Sequence, residues 1–161
     1  MNNKASLFLT LLILILSCGV KNSLDSSKNF TLPTLTGELV TLSKLKKKVI
    51  ILDFWATWCP PCRLLIPHLN EIYKKYKDRG VVVLGIGLDE KTALLKAQDE
   101  LKITYPVLIG QDKVAKDYEV EAIPTLFIFD QRGKIQLKKV GFSEEAVKEI
   151  KDKVEELISQ R

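Results

Sequence analysis

The sequence predicts an α/β fold, a central mixed sheet with helices on both faces. Three observations lead there. Val49 to Phe54 (VIILDF) and Val81 to Leu88 (VVVLGIGL) are continuous aliphatic and β-branched runs, the pattern of strands buried on both faces. Between them, from Pro60 to Tyr76, apolar residues recur with helical spacing at Leu65, Leu69, Ile72, Tyr73 and Tyr76. Towards the carboxyl end, Thr125 to Asp130 (TLFIFD), the turn Gln131-Arg132-Gly133-Lys134, and Ile135 to Val140 read as an antiparallel hairpin.

The remaining elements follow in chain order. Phe30 to Pro33 and Glu38 to Leu42 alternate on either side of Thr36-Gly37, which predicts a small amino-terminal hairpin. Pro67 lies inside the helix after the first buried strand and is expected to kink it. Gly80 ends that helix. Lys91 to Leu101 reads as a helix, Thr104 to Ile109 as a short strand, and Asp112 to Tyr118 as another short helix. Ser143 is placed to cap a last helix, with Glu144 and Glu145 in its first turn and Val147, Ile150, Val154 and Leu157 on one face. After the first hairpin the order is β-α-β-α-β-α-β-β-α, and no internal repeat is visible.

At 161 residues, 46% hydrophobic and 28% charged, the chain fits one domain with a full core plus extra sequence at one end. The net charge of +5 comes from lysines interspersed with acidic residues, and no basic block carries interleaved aromatics. The balance reads as solubility, and no nucleic-acid partner is expected.

That extra sequence is the amino terminus. Lys4 precedes the apolar run Ala5 to Leu16 (ASLFLTLLILIL), which is short of the roughly 20 residues that span a bilayer and has the proportions of a secretory core. It ends Ile15-Leu16-Ser17-Cys18, which resembles the bacterial lipoprotein box. On that resemblance residues 1–17 are a signal peptide, Cys18 is lipidated, and the protein is held outside the cytoplasm on a membrane. Leu16 is bulkier than the usual choice before the small residue. An ordinary signal peptide or short anchor helix with an incidental cysteine is the alternative. Residues 18–29, rich in Ser, Asn and Lys, read as a flexible tether to a domain spanning 30–161.

Of three cysteines, assigning Cys18 to lipid leaves Cys59 and Cys62 for the domain. A bridge across Pro60-Pro61 closes too small a loop to constrain the unfolded chain much, so stability is a poor reason for the pair. A zinc site would need two more Cys or His ligands, and the domain offers only His68. A working dithiol fits best. A thiol at a helix N-terminus meets unpaired N–H groups and a dipole that favour thiolate. A second thiol one turn inside can attack a mixed disulfide formed by the first. No metal and no cofactor are expected.

Asp53-Phe54-Trp55-Ala56 to Cys59-Pro60-Pro61-Cys62 resembles the thioredoxin active site. Pro67, Ile123-Pro124-Thr125 and Gly141 follow at the family's distances, so the resemblance covers Val49 to the carboxyl end. It implies a thioredoxin-like fold. The extra amino-terminal hairpin and the inserted αβ segment near Lys91 to Tyr118 are similar to those of the TlpA/ResA type, which shares them with the AhpC/TSA peroxiredoxins. The implied activity is thiol–disulfide exchange, with Cys59 attacking and Cys62 resolving, and Cys59–Cys62 the redox disulfide.

The resemblance also implies a cis bond at Ile123-Pro124 facing the dithiol, exposing the backbone of Ile123 to a substrate strand, with Thr125 beside it. A plain trans proline opening a strand is the alternative. Trp58 and Pro60 are assigned to the docking surface, and Trp55 to packing. Asp53, inside an apolar run, is costly as an anion. It is read as a raised-pKa proton acceptor for Cys62, against the alternative of a satisfied polar residue. Many TlpA/ResA-type proteins carry Asn there, so Asp53 leans towards thioredoxin itself. Glu90, with Asp89 as the neighbour that could replace it, matches an acidic residue near the site in ResA-like proteins. A solvated carboxylate at a helix N-terminus is the alternative.

Two other activities of related folds fit the residues less well. The peroxidatic Pro-x-x-x-Thr-x-x-Cys pattern would place proline and threonine at Leu52 and Ala56. A Sco-type copper carrier has a Cys-x-x-x-Cys pair and a distant loop histidine, and this chain has neither. On direction, Pro60 and Pro61 have no N–H, so Cys62 supplies the first amide beyond Cys59 that can donate to its thiolate. A modestly depressed pKa and a reducing, thioredoxin-like couple are expected. The implied partners are disulfide-containing protein substrates, apocytochrome c for some relatives, and a membrane thiol-electron donor of the DsbD/CcdA type.

Overall fold

The computed structural model describes residues 28–45 and 47–160. The expected signal peptide at 1–17, the lipidation site Cys18 and the tether up to residue 27 lie outside the described residues.

The chain runs through β1 (Thr31–Pro33), β2 (Leu39–Thr41), β3 (Val49–Trp55), α1 (Pro60–Tyr76), β4 (Val81–Gly87) and α2 (Lys91–Glu100). It continues through β5 (Val107–Ile109), α3 (Asp112–Asp117), β6 (Thr125–Phe129), β7 (Ile135–Val140) and α4 (Glu144–Ser159). Five strands form one sheet in the order β5-β4-β3-β6-β7, with β3, β4 and β5 parallel and β6 and β7 antiparallel to their neighbours. This is the thioredoxin-like arrangement. Every residue of β3 is buried, as its unbroken apolar run requires of a central strand.

Successive residues of β3 face opposite layers. Val49, Ile51 and Trp55 join a core with Leu65, Ile66 and Leu69 of α1, Leu94 of α2 and Ile150 of α4. Ile50, Leu52 and Phe54 join a second core with Phe30 and Leu32 of the hairpin and Val114 and Tyr118 around α3. Tyr118 sits among Phe54 and Phe127, with ring centroids 5.3 and 5.2 Å away, and its hydroxyl donates to the Lys28 carbonyl at 2.8 Å. The domain thus engages Lys28 as well as the residues from Phe30 onward.

The β1–β2 hairpin covers the β5 edge. The Leu35 N–H donates to Val107 O at 3.2 Å, and Thr34 bridges Leu108. An open edge strand would otherwise offer its unpaired backbone groups to other chains. At Ser143 the side-chain oxygen accepts from the Ala146 N–H at 3.1 Å, which caps α4. Helix α1 runs as a single element through Pro67.

Strand β5 begins later than the sequence pattern suggests. The Thr104 N–H and hydroxyl both donate to Asn70 Oδ1 of α1, at 2.8 and 2.9 Å. Pro106 has no N–H to give a ladder. The lead-in to β5 is therefore tied to a helix side chain, and pairing starts at Val107.

Candidate active site

Three segments meet at one end of the sheet. Strand β3 ends at Trp55 and leads through Ala56-Thr57-Trp58 into α1. Strand β4 ends at Gly87, paired with Trp55, and leads to Asp89. Strand β6 begins at Thr125, paired with Phe54, so Ile123-Pro124 arrives at the same end.

Cys59 is the N-cap of α1, in extended conformation (φ −92°, ψ 105°), with Pro60 and Pro61 in the first turn. Prolines are tolerated there because the first N–H groups of a helix have no intrahelical acceptor. The Cys62 N–H donates to Cys59 Sγ at 3.2 Å. The two cysteines form a disulfide, with S–S 2.06 Å and Cα–Cα 5.3 Å. Both are buried in the core that holds Trp55, while Pro60 and Pro61 are exposed and Trp58 is 71% exposed. The oxidised pair is thus recessed beside an exposed indole.

The loop ahead of Cys59 is anchored from β4. Asp89 Oδ2 accepts the Thr57 N–H at 2.6 Å. A charge-assisted bond of this kind is stronger than a neutral one. Glu90 is exposed at the N-cap of α2, and its side chain makes no capping hydrogen bond. Of the two acidic neighbours, Asp89 is the one the structure ties to the dithiol loop.

The Ile123-Pro124 bond is cis. Pro124 O accepts the Gly141 N–H at 2.8 Å, and the Thr125 hydroxyl donates to Ala122 O at 2.5 Å, which holds the turn from both sides. Among the described residues, neither backbone group of Ile123 has a hydrogen-bond partner.

Asp53 lies on β3 between Ile51 and Trp55, on the face that packs against α1 and Cys62. It is fully buried, and neither carboxylate oxygen has a hydrogen-bond partner among the described residues. Burial alone pushes its pKa from 3.8 to about 7. A carboxyl that ionises near neutrality on the dithiol face can hold or release a proton at working pH.

Sequence reasoning missed Tyr105 and the setting of Gly85. Tyr105 is buried on the Asp53 side of the sheet, and its phenol is pushed well above the ordinary range by burial and then by Asp53. The only signal was a tyrosine ahead of Pro106, and nothing in it showed which strand it would cover. Among the described residues, no group of three or more His, Cys, Asp or Glu side chains is placed to hold a metal ion. His68 stacks on Phe142, with ring centroids 6.0 Å apart.

A dithiol at a helix N-terminus, on this sheet, beside a cis-proline turn, defines a thiol–disulfide oxidoreductase of thioredoxin-like fold. The profile of the AhpC/TSA family matches residues 24–138, and the chain belongs to that family. It is 33% identical over 157 residues to the thiol-disulfide oxidoreductase ResA of Bacillus thuringiensis (strain Al Hakam), covering 88% of this chain and 91% of that protein. It is 38% identical over 117 residues to a ResA of Bacillus cereus, covering 70% of this chain and 66% of the relative. Among solved structures, a Chlorobium tepidum protein assigned as the thiol:disulfide interchange protein DsbE superposes with a TM-score of 0.76 at 32% identity. That match covers 81% of this chain and 93% of the other.

Proposed function

We propose that the protein is a reductant of protein disulfides working outside the cytoplasm, in which Cys59 attacks and Cys62 resolves. The observation that carries the direction is the shell around Cys59 Sγ. Two prolines follow it, and the Cys62 amide is its one hydrogen-bond donor among the described residues. A thiolate with so few donors is only modestly stabilised, and a couple whose reduced form is weakly stabilised donates electrons readily.

The remaining site residues have roles in this reading. Asp53 accepts the Cys62 proton when that sulfur attacks. Ile123 offers its free backbone groups to an extended substrate segment. Pro124 and Thr125 hold that turn, and Trp58 with Pro60 forms the surface the substrate covers. Asp89 positions the loop, with Glu90 an outer charge.

Residues 1–17 are a signal peptide in this proposal, Cys18 carries lipid, 18–29 is the tether, with Lys28 and Asn29 at its end bonded to the domain, and 30–161 is the working domain. Among the described residues no helix is long and apolar enough to cross a membrane. An anchor ahead of the domain would hold it near a membrane thiol-electron donor of the DsbD/CcdA type, which must recharge a reductant in an oxidising compartment. Apocytochrome c is one disulfide-bearing substrate in this proposal, on the resemblance to the TlpA/ResA type alone.

Equilibrating the protein with glutathione and dithiothreitol buffers tests the direction. A potential near thioredoxin's is expected. One near DsbA's, roughly 150 mV higher and equivalent to about 7 kcal/mol, would reverse the assignment.

A further inference from the structure

Three buried polar side chains converge at Gly85, on the face of the sheet whose core also holds Cys62. Gly85 is the β4 partner of Asp53 in the parallel ladder. A Cβ at Gly85 would stand 3.0 Å from Trp55 Nε1 and 3.1 Å from Tyr105 Cε2, the ring carbon next to the one bearing the hydroxyl. The glycine therefore lets an indole N–H and a phenol close over the ladder beside the Asp53 carboxylate. Trp55 is 0% and Tyr105 1% exposed, and neither polar atom has a hydrogen-bond partner among the described residues. With both Asp53 oxygens that makes four buried polar atoms in one place without partners among the described residues. Buried polar groups are costly unless satisfied, and a site with several of them is the kind that holds internal water.

We propose that Tyr105 is a positioning residue for the resolving step: its hydroxyl, with the Trp55 indole N–H, holds internal water on the Asp53 carboxylate and so keeps that carboxylate ionised to receive the Cys62 proton. The inference rests on the exchange reading above. In that reaction the Cys59 thiolate opens the substrate disulfide, bonding to one sulfur and releasing the other as thiolate. Cys62 then passes its proton to Asp53, and its sulfur attacks Cys59 Sγ. The second substrate sulfur leaves, Cys59–Cys62 forms, and two electrons have passed from the dithiol to the substrate. Asp53 returns the proton to solvent.

Tyr105 suits the role because its phenol stays protonated far above neutral pH and is always a donor. Donation to the ionised form of a carboxylate favours that form, which opposes the effect of burial. The other groups on this face are few. Helix α1 brings Cys62 and Tyr73, whose ring meets that of Tyr105 edge-on at 6.4 Å. Strand β6 brings Leu126, α2 brings Leu94 and Ala97, and α4 brings Val147, Ile150 and Val154. Among the described residues no charged side chain shifts Asp53, which responds to burial alone, so the two donors have no charged competitor there.

The test is the titration of Asp53, followed by carbon NMR of aspartate-labelled oxidised protein, beside the pH profile of disulfide reduction. In Tyr105→Phe the Asp53 midpoint and the alkaline rise in rate should both move up by about one pH unit, the equivalent of one lost hydrogen bond to a charged group. The wild-type rate should return at high pH. Trp55→Phe should shift the midpoint the same way, and Tyr105→Phe should change nothing in an Asp53→Asn background. An unchanged Asp53 midpoint in Tyr105→Phe, or a rate loss equal at every pH, would overturn the role of Tyr105 and leave the exchange reading intact. Titration of wild-type Asp53 in the ordinary carboxylate range would remove Asp53 itself from the mechanism, and this inference with it.

Discussion

Replacing Asp53 by Asn should make the protein more stable, by an amount that depends on pH. The carboxyl is fully buried without a hydrogen-bond partner among the described residues, and burial raises its pKa from 3.8 to about 7 in the folded state. The folded protein therefore keeps a proton that the unfolded chain has already released. Stability from this group is fully present below the unfolded pKa and is lost as pH rises towards the folded one. Above about pH 7 the loss is complete, and the difference in pKa corresponds to about 4 kcal/mol. Asn has nearly the same shape and carries no charge, so it escapes that loss. Urea unfolding of the oxidised proteins, followed by tryptophan fluorescence with the m-values compared, measures the difference. It should be near zero at about pH 3.5 and grow to about 4 kcal/mol at about pH 8. A difference that is constant across this range, or largest in acid, would refute the reasoning. Because the destabilised carboxylate is also the proposed proton acceptor, the stabilised variant should resolve mixed disulfides more slowly at neutral pH.

Two further substitutions probe the frame of the site. Asp89→Asn should loosen the loop ahead of Cys59 and cost about 1 kcal/mol or more, because the Thr57 N–H loses a charged acceptor; hydrogen exchange at the Thr57 amide should rise, and unchanged protection there would argue against the anchor. Gly110→Ala should destabilise by roughly 1–3 kcal/mol, since its Cβ would stand 2.6 Å from the Gly87 carbonyl oxygen at the end of the β4–β5 pair. A thermal melt checks it, and a melting temperature equal to wild type would show that the strands can separate without cost.

The fold was legible wherever burial leaves a periodic trace. The continuous runs at Val49 and Val81, the helical spacing after Pro60 and the Ser143 cap each correspond to an element of the structure. Strand β5 starts later than its apolar pattern implies because its lead-in is held by Asn70, a contact between residues 34 positions apart that no local pattern records. The dithiol was legible for a different reason: its spacing and its position at a strand-to-helix junction are local features. The surroundings of Asp53 were not. Their identity depends on the β3–β4 register, which places Gly85 opposite Asp53, and on a tyrosine carried in from the segment before β5. Similarly, adjacent carboxylates at 89 and 90 look alike in sequence. The end of β4 and the start of α2 turn one towards Thr57 and the other to solvent.

In the proposed exchange Cys59 attacks a protein disulfide and Cys62 releases it. Incubating reduced Cys62→Ser protein with a disulfide-bonded protein such as insulin, and resolving the products without reductant, tests it most directly. The expected product is a covalent adduct through Cys59 that dithiothreitol dissolves and that a Cys59→Ser variant fails to form. An adduct formed equally by both variants, or by neither, would contradict it.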